Sequence, residues 1–218
     1  LATRFLGYDR LESEPAVIAL VAGGKEVRSV TAGEEAEVVL DQTPFYGESG
    51  GQTGDSGWIQ TQTARFRVMH TFKSGTDLFV HKGRLETGEM AVGDRVQAVV
   101  DCDKRRATAN NHTATHLLHA ALREVLGDHV KQAGSLVSAD RLRFDFSHFT
   151  QVFPEKLNEI ERLVNRNVRN NLPLKTEVMS KDEAMKTGAM AIFEEKYGDT
   201  VRLVSIGDGV SMELCGGT

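Results

Sequence analysis

The hydrophobic period of this chain changes at Asp101, and that change restricts it to a mixed α+β architecture. Before Asp101 the apolar residues come in short runs cut by glycine. Ala16–Val21, Val38–Leu40, Phe66–Met69, Leu78–His81 and Val96–Val100 read as strands. Gly23-Gly24, Gly75 and Gly93-Asp94 read as the turns between them. No sustained helical spacing occurs in this half, and a small β-barrel is the expected arrangement.

After Asp101 the spacing becomes helical. From about Asp103 to Leu126, the positions Leu118, Leu122 and Val125 recur on one face, and Gly127 provides a stop. Leu142, Phe144 and Phe146 alternate with charged residues, as a strand with one buried face does. A second helix is expected after Pro154, with Leu157, Ile160, Val164 and Val168 at steps of three and four and with Pro173 closing it. Thr176–Met179 reads as a strand. Ser180 and Glu183 form a capping-box pair for a short helix ending near Gly188. Val201–Ile206 and Val210–Leu214 are two further strands around a Gly207-Asp208-Gly209 turn. This order predicts helices laid on an antiparallel sheet.

Composition narrows the function classes. The net charge of −5 argues against nonspecific nucleic-acid binding, which runs on positive charge, but leaves room for a small basic contact surface. Lys104-Arg105-Arg106 and the helical set Arg162, Arg166 and Arg169 are candidates for phosphate contact; a solvated helix face also explains the second set. Cys102 and Cys215 are too few for a disulfide framework, which favours free or metal-bound thiols and a cytoplasmic setting. No apolar run approaches the roughly 18 residues of a membrane span, so no membrane partner is expected. The start at Leu1 and the stop after Thr218 suggest an excised piece of a longer protein.

His112 and His116 are the sharpest chemical signal. Four residues on a helix return to nearly the same face, and two imidazoles so placed can hold one metal ion. The same spacing also fits a polar, solvated helix face. Cys215 ends a predicted strand and precedes Gly216-Gly217, where small neighbours let a metal approach a thiolate. Alternatively, it is a small buried hydrophobe. His119 lies on the same face as the pair, as a ligand, as support for one, or as neither. The residue after His112 is Thr113, not the Glu of the zinc-protease pattern.

Read together and in order, His112-Thr-Ala-Thr-His116-Leu-Leu-His119, Gln132-Ala-Gly-Ser-Leu136, Arg143-Phe-Asp-Phe146 and Cys215-Gly-Gly-Thr218 closely resemble the editing domain of bacterial alanyl-tRNA synthetases. Thr43-Pro-Phe-Tyr-Gly-Glu-Ser-Gly-Gly-Gln-Thr-Gly-Asp55 matches the glycine-rich segment of that family, so the resemblance runs from about Leu40 to the last residue. It implies a Zn2+ cofactor held by His112, His116 and Cys215. The family pattern places one more His just past Thr218. The implied fold is of the threonyl/alanyl-tRNA synthetase editing type, with a β-barrel subdomain carrying the glycine-rich loop over residues 1–100 and a C-terminally truncated zinc-containing core over 101–218.

The implied activity is hydrolysis of serine or glycine from the 3′ end of tRNA(Ala). Implied partners are that acceptor end and the other domains of the synthetase. A free-standing protein acting in trans, and a non-catalytic module stapled by zinc, are the alternatives. Zinc in such a site either activates water or orients the substrate. Thr115, beside the metal-binding face, offers a hydroxyl to substrate or water, or bonds its own helix backbone. Gln132 has an amide suited to reading a hydroxyl, or is a surface loop residue. Gly50, Gly51 and Gln52 are candidate substrate contacts, Glu48 and Asp55 lie close by, and a tight structural loop explains the same segment. It matches neither Walker A nor a dinucleotide fingerprint.

Overall fold

In a computed structural model, residues 1–76, 78–190 and 198–218 are described. They form two compact units, Leu1–Ala109 together with Thr218, and Asn110–Gly217.

The first unit contains strands β1 (Arg4–Phe5), β2 (Glu12–Ser13), β3 (Val17–Ala22), β4 (Lys25–Val27), β5 (Ser29–Thr31) and β6 (Glu35–Leu40), then β7 (Gln42–Thr43), β8 (Gly57–Gln60), β9 (Arg65–Ser74), β10 (Leu78–Thr87), β11 (Glu89–Ala91) and β12 (Gln97–Val100). Eight of them form one sheet in the order β2-β12-β8-β9-β10-β6-β3-β4. Its interior is apolar and tightly closed around Leu20, Leu40, Phe45, Ile59, Phe66 and Leu85, each fully buried. Alternation is clear along β9, where Phe66 and Val68 are buried while Arg65 and Arg67 are exposed.

The expected small barrel is corrected here. No pairing among the described strands joins edge β2 to edge β4, so the sheet is open. Short strands and glycine turns occur in open sheets and barrels alike. Closure depends on pairing between strands far apart in sequence, which a local pattern does not carry. The five predicted strands all exist, but β9 and β10 extend to ten residues each, and β8, just after the glycine-rich segment, was not among the predicted strands.

Helix α1 (Cys102–Leu126) begins in the first unit and ends in the second. Asp101 caps it, its carboxylate accepting from the Lys104 amide at 3.2 Å. Gly127, at φ 113°, terminates it. The second unit continues with β13 (Gln132–Val137), β14 (Leu142–Phe146), α2 (Pro154–Arg169), β15 (Leu174–Ser180), α3 (Lys181–Lys186), β16 (Thr200–Ile206) and β17 (Ser211–Leu214). All strand pairings here are antiparallel, but they make two small sheets, β13-β14 and β15-β16-β17, rather than one.

One core of this unit joins Ala121 and Leu122 of α1 to Ile160 and Leu163 of α2, with Phe144 and Phe146 against them. Of the four apolar positions expected to face inward on α2, Ile160 is buried and Val164 half-buried, while Leu157 and Val168 are exposed. The stripe is narrower than its sequence period suggests and is completed by Leu163. Helix α2 ends at Arg169, with Asn171 at φ 47°, two residues before Pro173. The capping box at Ser180 and Glu183 is present as predicted.

Candidate metal centre

His112, His116 and His119 project from one face of α1 because steps of four and three bring them to one side of the helix. Strand β17 meets that face through Glu213, and Cys215 lies just beyond its end. The main chain of Cys215 is fixed on β16. Its amide donates to the Arg202 carbonyl at 3.0 Å, and Arg202 Nη1 donates back to the Cys215 carbonyl at 3.0 Å.

Cys215 Sγ lies 3.3 Å from His112 Nε2, and the Gly217 amide donates to the sulfur at 3.4 Å. The rings of His112 and His116 stack nearly parallel, with centroids 5.1 Å apart. One ligand atom from each of His112, His116 and Cys215 lies within 4.8 Å of the others. His116 Nδ1 is 2.6 Å from Glu213 Oε2, and His119 Nδ1 is 2.9 Å from Glu213 Oε1. Since the carboxylate can only accept, both imidazoles donate from Nδ1, and Nε2 of His116 is the nitrogen that Glu213 does not use.

Electrostatics supports a bound cation. Burial would push the Cys215 thiol up, but the imidazoles of His112 and His116 outweigh it and bring it down to about 5, so the sulfur is a thiolate at neutral pH. Burial would likewise raise Glu213, yet its hydrogen bonds to His116 and His119 hold it at about 2. Burial depresses the His116 imidazolium, but Cys215 and Glu213 together lift it to about 10, so without a metal both ring nitrogens carry protons and a metal ion would take the place of the one on Nε2. Two anions thus sit in a largely dry layer beside histidines. A zinc ion with ordinary bond lengths and tetrahedral angles separates S from N by about 3.5 Å, near the spacing found between Cys215 and His112. The donor set of two imidazoles and a thiolate fits zinc in both chemistry and distance.

The remaining sequence candidates fall in several places. Thr115 is buried on α1, and its hydroxyl donates to the Asn111 carbonyl at 2.8 Å. Gln132 opens β13 opposite Phe146, half-buried, beside a register shift. Gly50 and Gly51 belong to the first unit and adopt φ 60° and 89°. Gln52 is fully buried there, donating to Thr218 Oγ1 at 2.7 Å and accepting from the Thr218 amide at 3.1 Å. Glu48 faces His70 at 3.4 Å.

Arg105 is not a phosphate contact. It is buried, paired through Nε and Nη2 with Asp55, and donates to the carbonyls of Gly7 at 2.7 Å and Pro44 at 2.9 Å. Arg162, Arg166 and Arg169 line a groove with Glu124, Glu155 and Glu159, so that surface carries both signs of charge.

Sequence reasoning missed Glu213 altogether. The usable signal was position: in extended chain the residue two before Cys215 faces the same side, so Glu213 shares the face of the predicted thiolate ligand.

Comparison with known proteins defines the class first. The sequence model of the family described as tRNA synthetases class II (A) matches residues 1–104. Alanine–tRNA ligase from Pseudomonas entomophila is 56% identical over 99% of this chain. That from Methylococcus capsulatus is 55% identical and that from Desulfosudis oleivorans 54% identical, each over the full chain. The chain therefore belongs to the alanine–tRNA ligase family. It spans about a quarter of the length of these curated relatives. Among the described residues, no helix is long and apolar enough to cross a membrane.

Proposed function

We propose that this chain carries the hydrolytic editing centre of an alanine–tRNA ligase, removing serine or glycine esterified to the 3′ end of tRNA(Ala) at a zinc site. The observation that carries the reading is the convergence of His112, His116 and Cys215 within 4.8 Å, in a chain whose relatives are alanine–tRNA ligases. The need for such a centre is physical. A pocket that accepts alanine discriminates against glycine, smaller by one methyl, and serine, larger by one hydroxyl, by only about 10–200-fold, so a second sieve is required.

In this reading residues 1–100 form a subdomain carrying the glycine-rich loop, and 101–218 form the metal-containing core. A bound zinc ion supplies Lewis acidity to the ester carbonyl or to an attacking water. His112, His116 and Cys215 hold it. Thr115 and Gln132 are the proposed catalytic residues. The Thr115 hydroxyl donates to Asn111, and its oxygen retains lone pairs to accept from a serine hydroxyl or a water. The Gln132 amide both donates and accepts, which suits orienting the same hydroxyl. Gly50, Gly51 and Gln52 are proposed to contact the acceptor end. The partners are tRNA(Ala) and the remaining domains of the ligase, and the setting is the cytoplasm.

The test is deacylation of Ser-, Gly- and Ala-tRNA(Ala), by this chain and by the same residues placed in a complete alanine–tRNA ligase. The expected result is that the complete form clears Ser-tRNA(Ala) and Gly-tRNA(Ala), spares Ala-tRNA(Ala), and loses this activity with Cys215→Ala. Equal hydrolysis of all three, or an active Cys215→Ala form, would overturn the reading.

A further inference from the structure

Glu213 is 1% exposed and sits between two imidazoles on the neighbouring helix. Its two oxygens are used separately, Oε2 by His116 at 2.6 Å and Oε1 by His119 at 2.9 Å. A buried carboxylate is costly unless its lone pairs are satisfied, and here two N–H groups do this. The consequence for His116 is chemical as well as mechanical. An imidazole offers one lone pair when neutral, and fixing the proton on Nδ1 puts that lone pair on Nε2. His119 is also buried, and its Nε2 has no hydrogen-bond partner among the described residues. With its proton committed to Glu213, that nitrogen also carries the lone pair.

We infer that Glu213 is a positioning residue of the metal centre, its carboxylate shared between His116 and His119 so that Nε2 of His116 is held as the ligand atom. This rests on the metal reading proposed above. His119 is then not a ligand but the second donor that lets Glu213 stay ionised and fixed. An isosteric amide cannot replace the carboxylate. Glu213→Gln accepts one imidazole proton but turns an NH2 toward the other ring, which must then bare its Nδ1 and move its proton to Nε2. Either the His116 lone pair is lost to the metal, or the His119 tautomer is forced over and His116 is left with a neutral amide acceptor in place of the carboxylate that raises its basicity; both weaken the metal. A carboxylate serving only to fill space would tolerate this substitution. Carboxylate or carbonyl partners of metal-bound histidines of this kind are worth about 10–100-fold in metal affinity.

The experiment is zinc affinity by chelator competition, with ring-nitrogen NMR of the zinc-loaded protein. Glu213→Gln should weaken zinc by about 10–100-fold. His119→Leu, which removes one donor, should weaken it by about 10-fold, while His119→Gln, which keeps an N–H donor, should remain close to the parent chain. In the parent, both His116 and His119 should carry the proton on Nδ1. This measurement stands even where a variant fails to fold. Parent-like zinc affinity in a folded Glu213→Gln, or metal bound through Nδ1 of His116, would overturn the role of Glu213 alone. A parent chain that binds no zinc would remove the metal reading itself.

Discussion

Cys215 Sγ lies 3.3 Å from His112 Nε2, although 103 positions separate the two residues in the chain. A half-buried thiolate beside two stacked imidazoles is held in place by Arg202 and by the Gly217 amide, not by local chain geometry alone. Removing the sulfur should therefore affect the metal far more than the fold. Cys215→Ala is expected to weaken zinc binding by on the order of 100-fold or more. Its urea midpoint in excess chelator should stay close to that of the parent. Parent-like zinc affinity would exclude Cys215 as a ligand.

His81 gives the first unit a defined acid sensitivity. It is fully buried, with Nδ1–H donating to the Val38 carbonyl at 2.8 Å and Nε2 accepting from the Thr43 hydroxyl at 2.7 Å. Burial lowers it from 6.5 to about 4, only partly offset by the Val38 carbonyl. The unfolded chain thus binds a proton that the folded chain refuses. Stability is full above pH 6.5 and falls as the pH drops toward 4. Urea denaturation between pH 6.5 and 4.5 should show a loss of about 2–3 kcal/mol from this residue. The difference between the parent and His81→Gln should carry that slope. An identical pH profile for the two would rule the effect out.

Asp55 accepts from Arg105 and also from the Tyr46 amide at 2.7 Å. Asp55→Ala leaves a buried guanidinium with only the Gly7 and Pro44 carbonyls as acceptors. A cost of about 3–5 kcal/mol is expected, measured by chemical denaturation. Replacing both residues, Asp55→Ala with Arg105→Met, should cost less than the sum of the single changes. Strict additivity would mean that the pair is not coupled.

The glycine-rich segment divides into positions with different demands. A Cβ on Gly54 would stand 1.7 Å from the Thr71 carbonyl oxygen, which allows no side chain. A Cβ on Gly50 meets nothing within 4 Å, and only its φ of 60° disfavours substitution. Gly54→Ala should cost more than about 4 kcal/mol or prevent folding. Gly50→Ala should cost about 1–2 kcal/mol. If Gly50 contacts the acceptor end, Gly50→Ala in a complete ligase should raise the KM for deacylation beyond any effect of stability. An unchanged KM would leave this loop a purely structural one.

Much of the local structure was legible in the sequence. The bounds of α1, the Ser180 capping box and the β16-β17 turn follow from short-range rules of period, capping and glycine conformation. Leu157 and Val168 stay exposed despite their helical spacing. A helical period marks a face, but how much of that face is covered depends on which side chains pack against it, and here those come from α1 and β14.

By itself, the sequence determined the mixed architecture, the placing of His112 and His116 on one helical face, and the kinship with alanine–tRNA ligases. Only the tertiary structure decided that the large sheet stays open, that Arg105 is buried against Asp55 rather than offered to a phosphate, and that Glu213 ties His116 to His119. The division has one cause. Dihedral preferences and periodicity act over a few residues, whereas strand closure, the pairing of a buried charge and the convergence of ligands depend on segments brought together from far along the chain.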